Sequence, residues 1–358
     1  MLERIHKIVK RSTTPPESVI ELLKNTLIGT NGSLYQLLDT EHKIHSLHQS
    51  HFLYLERNNK AIGNFTICER PISLSQKNQP SLYIRYFAFD AIFQGANQEK
   101  AVNRTASGFE NYLQALFKTS NFDPVNPEKE KSIYWAFIDP QNSRSFQMNK
   151  RFGFQTIGKF KTTAFSRVNP KKIESVKRIK ESEKVEVFGL IQSFYKHFDF
   201  FSDVHLFDNE DFFVLKDGEE IVAGIQANPV NWKIKNLPGA SGKFLVNYAH
   251  KIPRLKKLIN PANHQFLATE GLFWKPGYEN KISELLEGVL HIQKKNSLLI
   301  WTDLNNNMLD QLPVKWGFIQ KTKANNHIDI VAKFNDFEAA EIEQIKNNKK
   351  YLSGFDMT

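Results

Sequence analysis

The sequence of 358 residues contains one cysteine, Cys68, which excludes an internal disulfide framework and a metal site built from cysteines. Cys68 stands in a predicted strand, so we expect a buried structural residue rather than a catalytic thiol. No stretch reaches the roughly 18 to 20 consecutive apolar residues of a membrane span. The first residues, MLERIHKIVKRS, lack the apolar core of a secretory signal. We therefore expect a cytoplasmic protein with no membrane partner.

The composition is that of a globular protein with more than one core. Hydrophobic residues make up 41% of the chain and aromatic residues 12%, including 29 phenylalanines. A chain of this length exceeds one ordinary core and suits two domains. The 48 Lys and Arg against 38 Asp and Glu give a formal charge of +10. This balance favours an anionic ligand such as a nucleotide cofactor, or nucleic acid, but a solvated basic surface explains it equally well.

One strand-turn-helix pattern occurs twice. The β-branched and aromatic run at 133–138 predicts a buried strand, which Asp139 and a proline end. A helix follows, capped by Asn142 or the next serine and stopped by Gly153. The same frame returns at 297–318, and four residues of each copy stand 164 positions apart (303 − 139 and 317 − 153, for example). We therefore expect a tandem repeat, with a second short helix after Asp303.

A second repeated feature supports the duplication. Residues 52–56 and 61–67 predict a hairpin, and residues 212–216 and 221–226 predict the same hairpin 160 positions later. We predict two domains, 1–170 and 171–358. Residues 237–263 form a basic insert that the first half lacks, which is either a phosphate-contacting surface or a solvated face.

Shorter patterns predict further elements in both halves. We expect a first strand at 3–10, a polar loop at 71–80, and a closing pair of strands at 155–160 and 162–168. The first strand of the second half is expected at 173–179, and a terminal helix at 337–349, with frayed residues after it.

Four histidines recur at every third position, at 42, 45, 48 and 51. Histidine pairs that bind metal on a helix usually stand four residues apart, and a three-residue step drifts about 60° per repeat. The row therefore cannot share one helical face. We expect a surface or acceptor-facing segment, and no metal.

The element order and the motif resemble the acetyl-CoA-dependent N-acetyltransferase superfamily, known as the GNAT fold. The motif residues in the first copy are Asn142, Ser145, Met148, Asn149, Arg151, Gly153 and Phe154. The resemblance implies an α/β fold of the α+β kind, with two GNAT-like lobes that each hold a mixed, mostly antiparallel sheet flanked by helices. It also implies acetyl-CoA or another acyl-CoA as cofactor. The second copy matches at Asn306, Gly317 and Phe318 but has Leu309 and Pro313 where the first has Ser145 and Asn149.

The resemblance also implies which residues contact the cofactor. In the family, a strand splays from its neighbour beside the pantetheine, and a glycine turn before a helix holds the pyrophosphate. Both glycine turns are reduced to one glycine in this sequence, which fits a phosphate cradle and an ordinary turn about equally. The positions implied are Phe89, Asp90, Gln94, Gly95, Ala96, Asn97, Asn142 and Ser145 in the first half, and Gly277 and Asn306 in the second.

Acyl transfer to an amine needs a base and a group that protonates or tolerates the thiolate. The base candidates are Asp139, Glu69 and Glu270, although Asp139 and Asp303 also suit the role of turn caps. Asn149 matches a position where the family often has tyrosine, and asparagine can hydrogen-bond a thiolate but cannot supply a proton. The catalytic candidates are therefore Asp139, Asn149 and Glu270.

Three functions follow from this interpretation. The leading hypothesis is an acyl-CoA-dependent N-acyltransferase, most simply an N-acetyltransferase, that uses the first half and acts on a small-molecule or peptide amine. The second is a non-catalytic GNAT-like binding protein, as the degenerate glycine turns suggest. The third is a transferase that takes its donor from charged tRNA, as some paired-lobe relatives do, which the net charge permits. The acceptor and the oligomeric state are not encoded in these motifs.

Overall fold

The fold is taken from a computed structural model that describes residues 6–29, 33–89, 110–322 and 327–358. The positions expected to hold the pyrophosphate in the first half, Gln94, Gly95, Ala96 and Asn97, lie outside these ranges, as does Asp90.

One large sheet runs through the described part of the chain. Fourteen strands belong to it, and β10 and β16 form a separate parallel pair. The strands are β1 Val9–Ser12, β2 Ile28–Gly29, β3 Leu34–Leu37, β4 Ser50–Arg57, β5 Lys60–Leu74, β6 Lys77–Phe89, β7 Ser132–Ile138, β8 Gln155–Ser166, β9 Val176–Arg178, β10 Phe198–Asp199, β11 Phe212–Asp217, β12 Glu220–Asn236, β13 His264–Trp274, β14 Ser297–Asp303, β15 His327–Asn335 and β16 Lys349–Lys350.

Helices flank the sheet. They are α1 Glu17–Lys24, α2 Thr40–His45, α3 at 110–116, α4 Ser143–Arg151, α5 Lys184–Phe194, α6 Gly239–Tyr248, α7 Pro253–Leu258, α8 Ile282–Ile292, α9 Phe318–Thr322 and α10 Ala339–Asn347. Helix α8 buries its apolar stripe against the strands of the second half, as its periodicity predicts. Among the described helices, none combines the length and apolar character that crossing a membrane requires.

The pattern of parallel and antiparallel strand pairs is the same when the sheet is followed from either edge. The strand order is β1-β4-β5-β6-β7-β15-β8-β14-β13-β12-β11-β9. The pairs β6–β7 and β13–β14 are parallel, and every other pair along this path is antiparallel. The mixed, mostly antiparallel sheet expected from the motifs is therefore confirmed. The symmetry also supports the duplication, which stays a prediction.

The centre of the sheet differs from the expectation that 155–160 and 162–168 form a closing pair. Residues 155–166 are one strand, β8, which pairs with β15 through its first part and with β14 through its second. Strand β15, from the second half, lies between β7 and β8 of the first. Each predicted half thus contributes one strand that lies between strands of the other half: β15 lies between β7 and β8, and β8 lies between β15 and β14. No local sequence pattern predicts a pairing between segments so far apart.

Several local predictions were wrong at specific positions. Residues 71–80 are not a loop, because β5 and β6 continue through them and Pro71 faces Pro80 across the pair. The turn is confined to Ser75 and Gln76, which both have positive φ. The segment after Asp303 contains turns rather than a helix until α9, in agreement with the poor helix propensity of its three asparagines and Pro313.

The chain ends also differ from expectation. The first described strand is Val9–Ser12; of the predicted strand 3–10, residues 6–8 are not in a strand and residues 3–5 lie outside the described ranges. The first strand of the second half is the shorter Val176–Arg178. The residues after α10 are not frayed: Tyr351, Leu352 and Phe355 are buried. By contrast, the repeated hairpins are confirmed. The β4–β5 turn has two residues, Asn58 and Asn59, both with positive φ as the hairpin twist requires.

Candidate active site

Both parallel strand pairs separate after a short pairing. Between β6 and β7 the pairing extends only from Ser81 opposite Ile133 to Tyr83 opposite Trp135. Between β13 and β14 it covers two positions that begin with Leu267 opposite Leu298. We call the gap between residues 84–89 and 136–138 the first slot, and the gap between 269–274 and 300–303 the second slot. The splay that the GNAT resemblance implies is therefore present twice.

A β-bulge lies at the same place in each splayed strand. The β5–β6 register shifts between Asn64 and Thr66, opposite Tyr86, whose φ is 52°. The β12–β13 register shifts between Gly224 and Gln226, opposite Gly271, whose φ is 62°. A bulge turns backbone groups out of the ladder, which makes them available to a ligand or another segment. A tyrosine with positive φ is uncommon in proteins, so this conformation of Tyr86 is held by its surroundings.

The second slot is filled by the chain itself. The N–H of Gly271 donates to the hydroxyl of Tyr351 at 3.1 Å, and the N–H of Lys350 donates to Asp303 Oδ2 at 2.8 Å. Gly354 follows against β13, so closely that a Cβ there would lie 2.3 Å from the carbonyl oxygen of Thr269. The remaining cavity has a volume of about 20 Å³, which is room for about one water molecule.

The first slot is bordered by the start of α4. Asn142 caps this helix by accepting from the N–H of Ser145 at 3.1 Å, and Asn149 donates to the carbonyl of Ser145 at 2.8 Å. Asp139 accepts from the N–H of Gln141 at 2.9 Å. The predicted residues Asp139, Asn142, Ser145 and Asn149 therefore lie along one short segment. Phe89 ends β6 opposite Gly63.

The equivalent residues of the second half have other surroundings. Asp303 is fully buried and also accepts from the N–H of Asn305, at 3.1 Å. Asn306 is buried and accepts from the N–H of Met308 at 3.1 Å. Gly277 lies in the exposed turn after β13 with φ 91°. Asp303 and Asn306 therefore cap turns beside the filled slot, whereas Gly277 lies in an exposed turn.

A buried group of charged residues joins β5 and β6 to the last residues of the described chain. Arg70 donates to the carboxylate of Asp356, and Arg85 Nη1 lies 3.7 Å from the other oxygen of that carboxylate. Arg85 also donates to the main-chain oxygen of Thr358. Lys43 donates to the Thr358 hydroxyl at 2.5 Å. These contacts fix the last residues of the described chain against β5 and β6.

Glu270 faces the same buried region. Ser353 donates to its Oε2, and Asn228 donates to its Oε1 at 3.3 Å. Burial raises the pKa of Glu270 to about 7, and the hydrogen bond from Ser353 opposes part of that rise. Burial likewise lowers the pKa of Lys43 to about 8. Burial therefore shifts the pKa of both groups towards neutrality.

The histidine row is dispersed, and one member joins a different cluster. His48 Nε2 and His205 Nδ1 lie 3.1 and 3.3 Å from Asp208 Oδ2. These ligand atoms are close enough for a metal ion. However, His205 Nε2 lies 3.1 Å from Arg70, which can only donate, so Nε2 accepts and the proton resides on Nδ1. That tautomer donates to Asp208 and disfavours a metal at Nδ1.

His51 and Cys68 have structural surroundings of a common kind. His51 lies 2.6 Å from Glu69, the third base candidate, on an exposed part of the sheet. Cys68 is buried, and burial raises the pKa of its thiol to about 11, which keeps it protonated. The prediction of a buried structural cysteine is confirmed.

Sequence reasoning missed the residues that close the second slot and those of the charged group. Arg70 and Asp356 are 286 positions apart, and no spacing rule links them. Tyr35 was also missed. It stacks on Trp232 with ring centroids 3.9 Å apart, and burial, with a smaller contribution from the charge of Asp139, raises its pKa. Neither this stacking nor the influence of the Asp139 charge gives a signal in sequence.

Comparison with known proteins finds matches in structure but none in sequence. No protein-family model and no curated protein matches the sequence. Two structures of Saccharomyces cerevisiae N-myristoyltransferase match the fold at 10% identity. The structure with bound myristoyl-CoA gives a TM-score of 0.53 and covers 91% of this chain and 82% of that one. The structure with bound myristoyl-CoA and inhibitors gives 0.56, with 92% and 80% covered.

A GCN5-related N-acetyltransferase from Anabaena variabilis ATCC 29413 matches more weakly. It is 9% identical with a TM-score of 0.47, and the match covers 91% of this chain and 72% of that one. This last likeness supports no argument by itself. The N-myristoyltransferase matches show the fold alone: with the splayed strand pairs and the bulges, they agree with the GNAT fold that the motifs predict.

Proposed function

We propose that the protein is an acyl-CoA-dependent N-acyltransferase that binds its donor in the first slot. The observation that carries the proposal is the difference between the two slots. Both have a short parallel pairing and a bulge, but Tyr351 and its neighbours fill the second. Structures of similar fold carry bound myristoyl-CoA, which supports a thioester donor of this kind.

The residues around the first slot fit the arm of such a donor. The bulge at Tyr86 interrupts the ladder on one side, where the Tyr86 carbonyl accepts from Asn64 Nδ2 at 3.0 Å, and the capped start of α4 lies on the other. Asn142 and Ser145 would flank the pantetheine. Phe89 and Asp90, with the turn Gln94–Asn97, would hold the rest of the cofactor. The donor is acetyl-CoA in the simplest version, and a longer acyl chain is the alternative that the neighbours suggest.

The reaction needs a base, because the acceptor amine must lose a proton. We propose Asp139, since it follows the last residue of β7 at the edge of the first slot. Glu270 is the alternative, with a pKa near neutrality but a buried site behind Ser353. Asn149 can hydrogen-bond the departing thiolate, and water would supply its proton. The acceptor we propose is a small-molecule or peptide amine in the cytoplasm, bound between lobes 1–170 and 171–358.

Calorimetric titration with acetyl-CoA and with myristoyl-CoA tests donor binding. Asn142→Ala removes the cap beside the first slot, and Asn306→Ala is its matched control beside the second. We expect the first variant to weaken binding about tenfold or more, and the second to leave the affinity of the folded protein unchanged. The absence of binding at high micromolar donor, or equal effects of the two variants, would contradict the proposal.

A non-catalytic binding protein is the second candidate, and the position of Asn149 favours it. This residue replaces a proton donor and uses its amide on Ser145. Thiol release from a bound acyl-CoA across a panel of amines separates the candidates. Turnover that Asp139→Asn abolishes while donor binding persists supports the enzyme, because asparagine retains the cap on Gln141. Tight binding without thiol release supports the second candidate.

A further inference from the structure

One part of the surface has an extreme charge distribution. Residues 221–269 contain no aspartate or glutamate but carry seven lysines and arginines: Lys233, Lys235, Lys243, Lys251, Arg254, Lys256 and Lys257. All seven are exposed. Within the described chain, none of them lies within ion-pair distance of a carboxylate, and Lys257 donates to the amide oxygen of Asn169 instead. This region therefore carries an uncompensated positive charge.

Large apolar side chains protrude from the same region. Phe244, Tyr248 and Ile252 stand four residues apart on α6 and the turn that follows it, and they are 48%, 49% and 39% exposed. The rings of Phe244 and Tyr248 lie 5.4 Å apart. The opposite side of the insert is buried in a small apolar cluster that includes Leu245 and Leu258. The outward stripe is thus additional to the side chains that hold the insert in place.

We propose that this stripe and its cations form a docking surface for a bilayer that contains anionic lipids. We call Phe244, Tyr248, Ile252 and the seven cations the insert surface. Lysine side chains are attracted to the potential of anionic headgroups, and aromatic and aliphatic tips enter the boundary between headgroups and acyl chains. Ile252 has no ring to stack on a base, so a lipid surface fits the stripe better than a nucleic acid does.

Docking on the surface of a bilayer differs from crossing it. The expectation of no membrane partner rested on the lack of long apolar runs, which excludes a spanning helix but not a helix that lies on a membrane. Five of the seven cations and all three apolar residues lie in the insert, and Lys233 and Lys235 lie on the adjoining β12. None of them is among the residues proposed for acyl transfer.

Co-sedimentation of the whole protein with lipid vesicles tests the proposal. Vesicles of phosphatidylcholine with 30% phosphatidylserine are compared with phosphatidylcholine alone, at about 50 and 300 mM salt. We expect binding to the anionic vesicles that falls with salt. Phe244→Gln with Ile252→Gln, and separately Lys243→Glu with Lys256→Glu, each weaken binding. Roughly fivefold per lysine lost is expected at low salt, and more on reversal to glutamate.

Two matched controls keep the charge and polarity changes but place them elsewhere. Lys177→Glu with Lys294→Glu changes the net charge equally at another exposed site, and Val185→Gln replaces a side chain that is 85% exposed. Both variants should bind vesicles as the unmodified protein does.

Several outcomes would overturn the proposal. One is no sedimentation with anionic vesicles at low salt, and another is equal weakening by the control and insert variants. Unchanged binding after Phe244→Gln with Ile252→Gln would show that the cations alone bind the vesicles and that the apolar side chains do not enter the bilayer. A tRNA shift at lower protein concentration than vesicle binding would assign the surface to nucleic acid. A dimer that these two substitutions dissociate would assign it to a second copy.

Discussion

The hydroxyl of Tyr351 accepts the backbone N–H of Gly271 at 3.1 Å, where β13 bulges away from β14. Gly271 occupies the same place in the second half as Tyr86 does in the first, opposite a register shift in the preceding strand. In GNAT folds a splayed strand offers backbone groups to a cofactor. In this protein the splayed strand β13 offers such a group, the N–H of Gly271, to the side chain of Tyr351. The second splay is therefore occupied by residues 350–354 of the same chain.

Tyr351→Phe should lower the free energy of unfolding by about 1 to 3 kcal/mol, because the buried N–H of Gly271 loses its acceptor. Acyl-CoA affinity should stay unchanged, since the donor site that we propose is the first slot. Urea unfolding and calorimetric titration measure the two effects. Tyr278→Phe is the control, because that hydroxyl bonds Asp217 at the surface. A tenfold change in donor affinity would contradict the assignment of the slots.

Asp356→Asn should destabilise the protein by about 3 to 5 kcal/mol, because the buried guanidinium of Arg70 would lose its counter-charge. The loss is measured by chemical denaturation. Glu341→Gln breaks the exposed pair with Lys131 and should produce no measurable change. Equal stability of both variants would show that the segment after α10 is not anchored as described.

Glu270→Gln should flatten the pH dependence of stability. The folded pKa of Glu270 is raised from 4.5 to about 7, so the folded protein binds more protons than the unfolded chain between these values. Stability therefore falls with rising pH through this window, by up to about 3 kcal/mol for this group. We expect the unmodified protein to lose up to about 3 kcal/mol more unfolding free energy between pH 4.5 and 8 than the Glu270→Gln variant loses. Urea unfolding of both proteins at the two pH values measures this difference. Parallel profiles would refute the raised pKa.

Gly317→Ala should cost more stability than Gly153→Ala. Both glycines have positive φ, 83° at Gly153 and 99° at Gly317, which costs alanine about 1 to 2 kcal/mol. A Cβ at 317 would also lie 2.3 Å from the carbonyl oxygen of Ser166, whereas the nearest atom to a Cβ at 153 is Lys333 Nζ, at the ordinary contact distance of 3.7 Å. Thermal unfolding of the pair measures the difference. A larger loss at 153 would contradict this packing.

Local chemistry made much of the fold predictable. The cap of Asn142, the glycine after α4 and the two-residue turn at Asn58 and Asn59 follow from backbone rules within a few residues. The mixed sheet and its splayed strand are what the resemblance carried by the motif implies. Asp139, Asn142, Ser145 and Asn149 were therefore placed together in advance, while their roles remain predictions.

Long-range pairing was not predictable in the same way. The exchange of β8 and β15 depends on contacts between strands separated by more than 160 positions, for which the alternation of side chains specifies a face but no partner. The closure of the second slot depends on Tyr351 and Gly354, in a segment whose composition resembles an ordinary tail. Pro71 and Pro80 suggested a loop, although an opposed pair is accommodated within two long strands.

The proposed function requires that the first slot accept an acyl-CoA and that the second exclude it. A crystal structure with a non-hydrolysable acyl-CoA analogue distinguishes the two slots directly. We predict density for the pantetheine between β6 and β7, beside Tyr86 and Asn142, with Tyr351 still bonded to Gly271. Density between β13 and β14 with Tyr351 displaced, or an empty first slot at saturating analogue, would contradict the proposal.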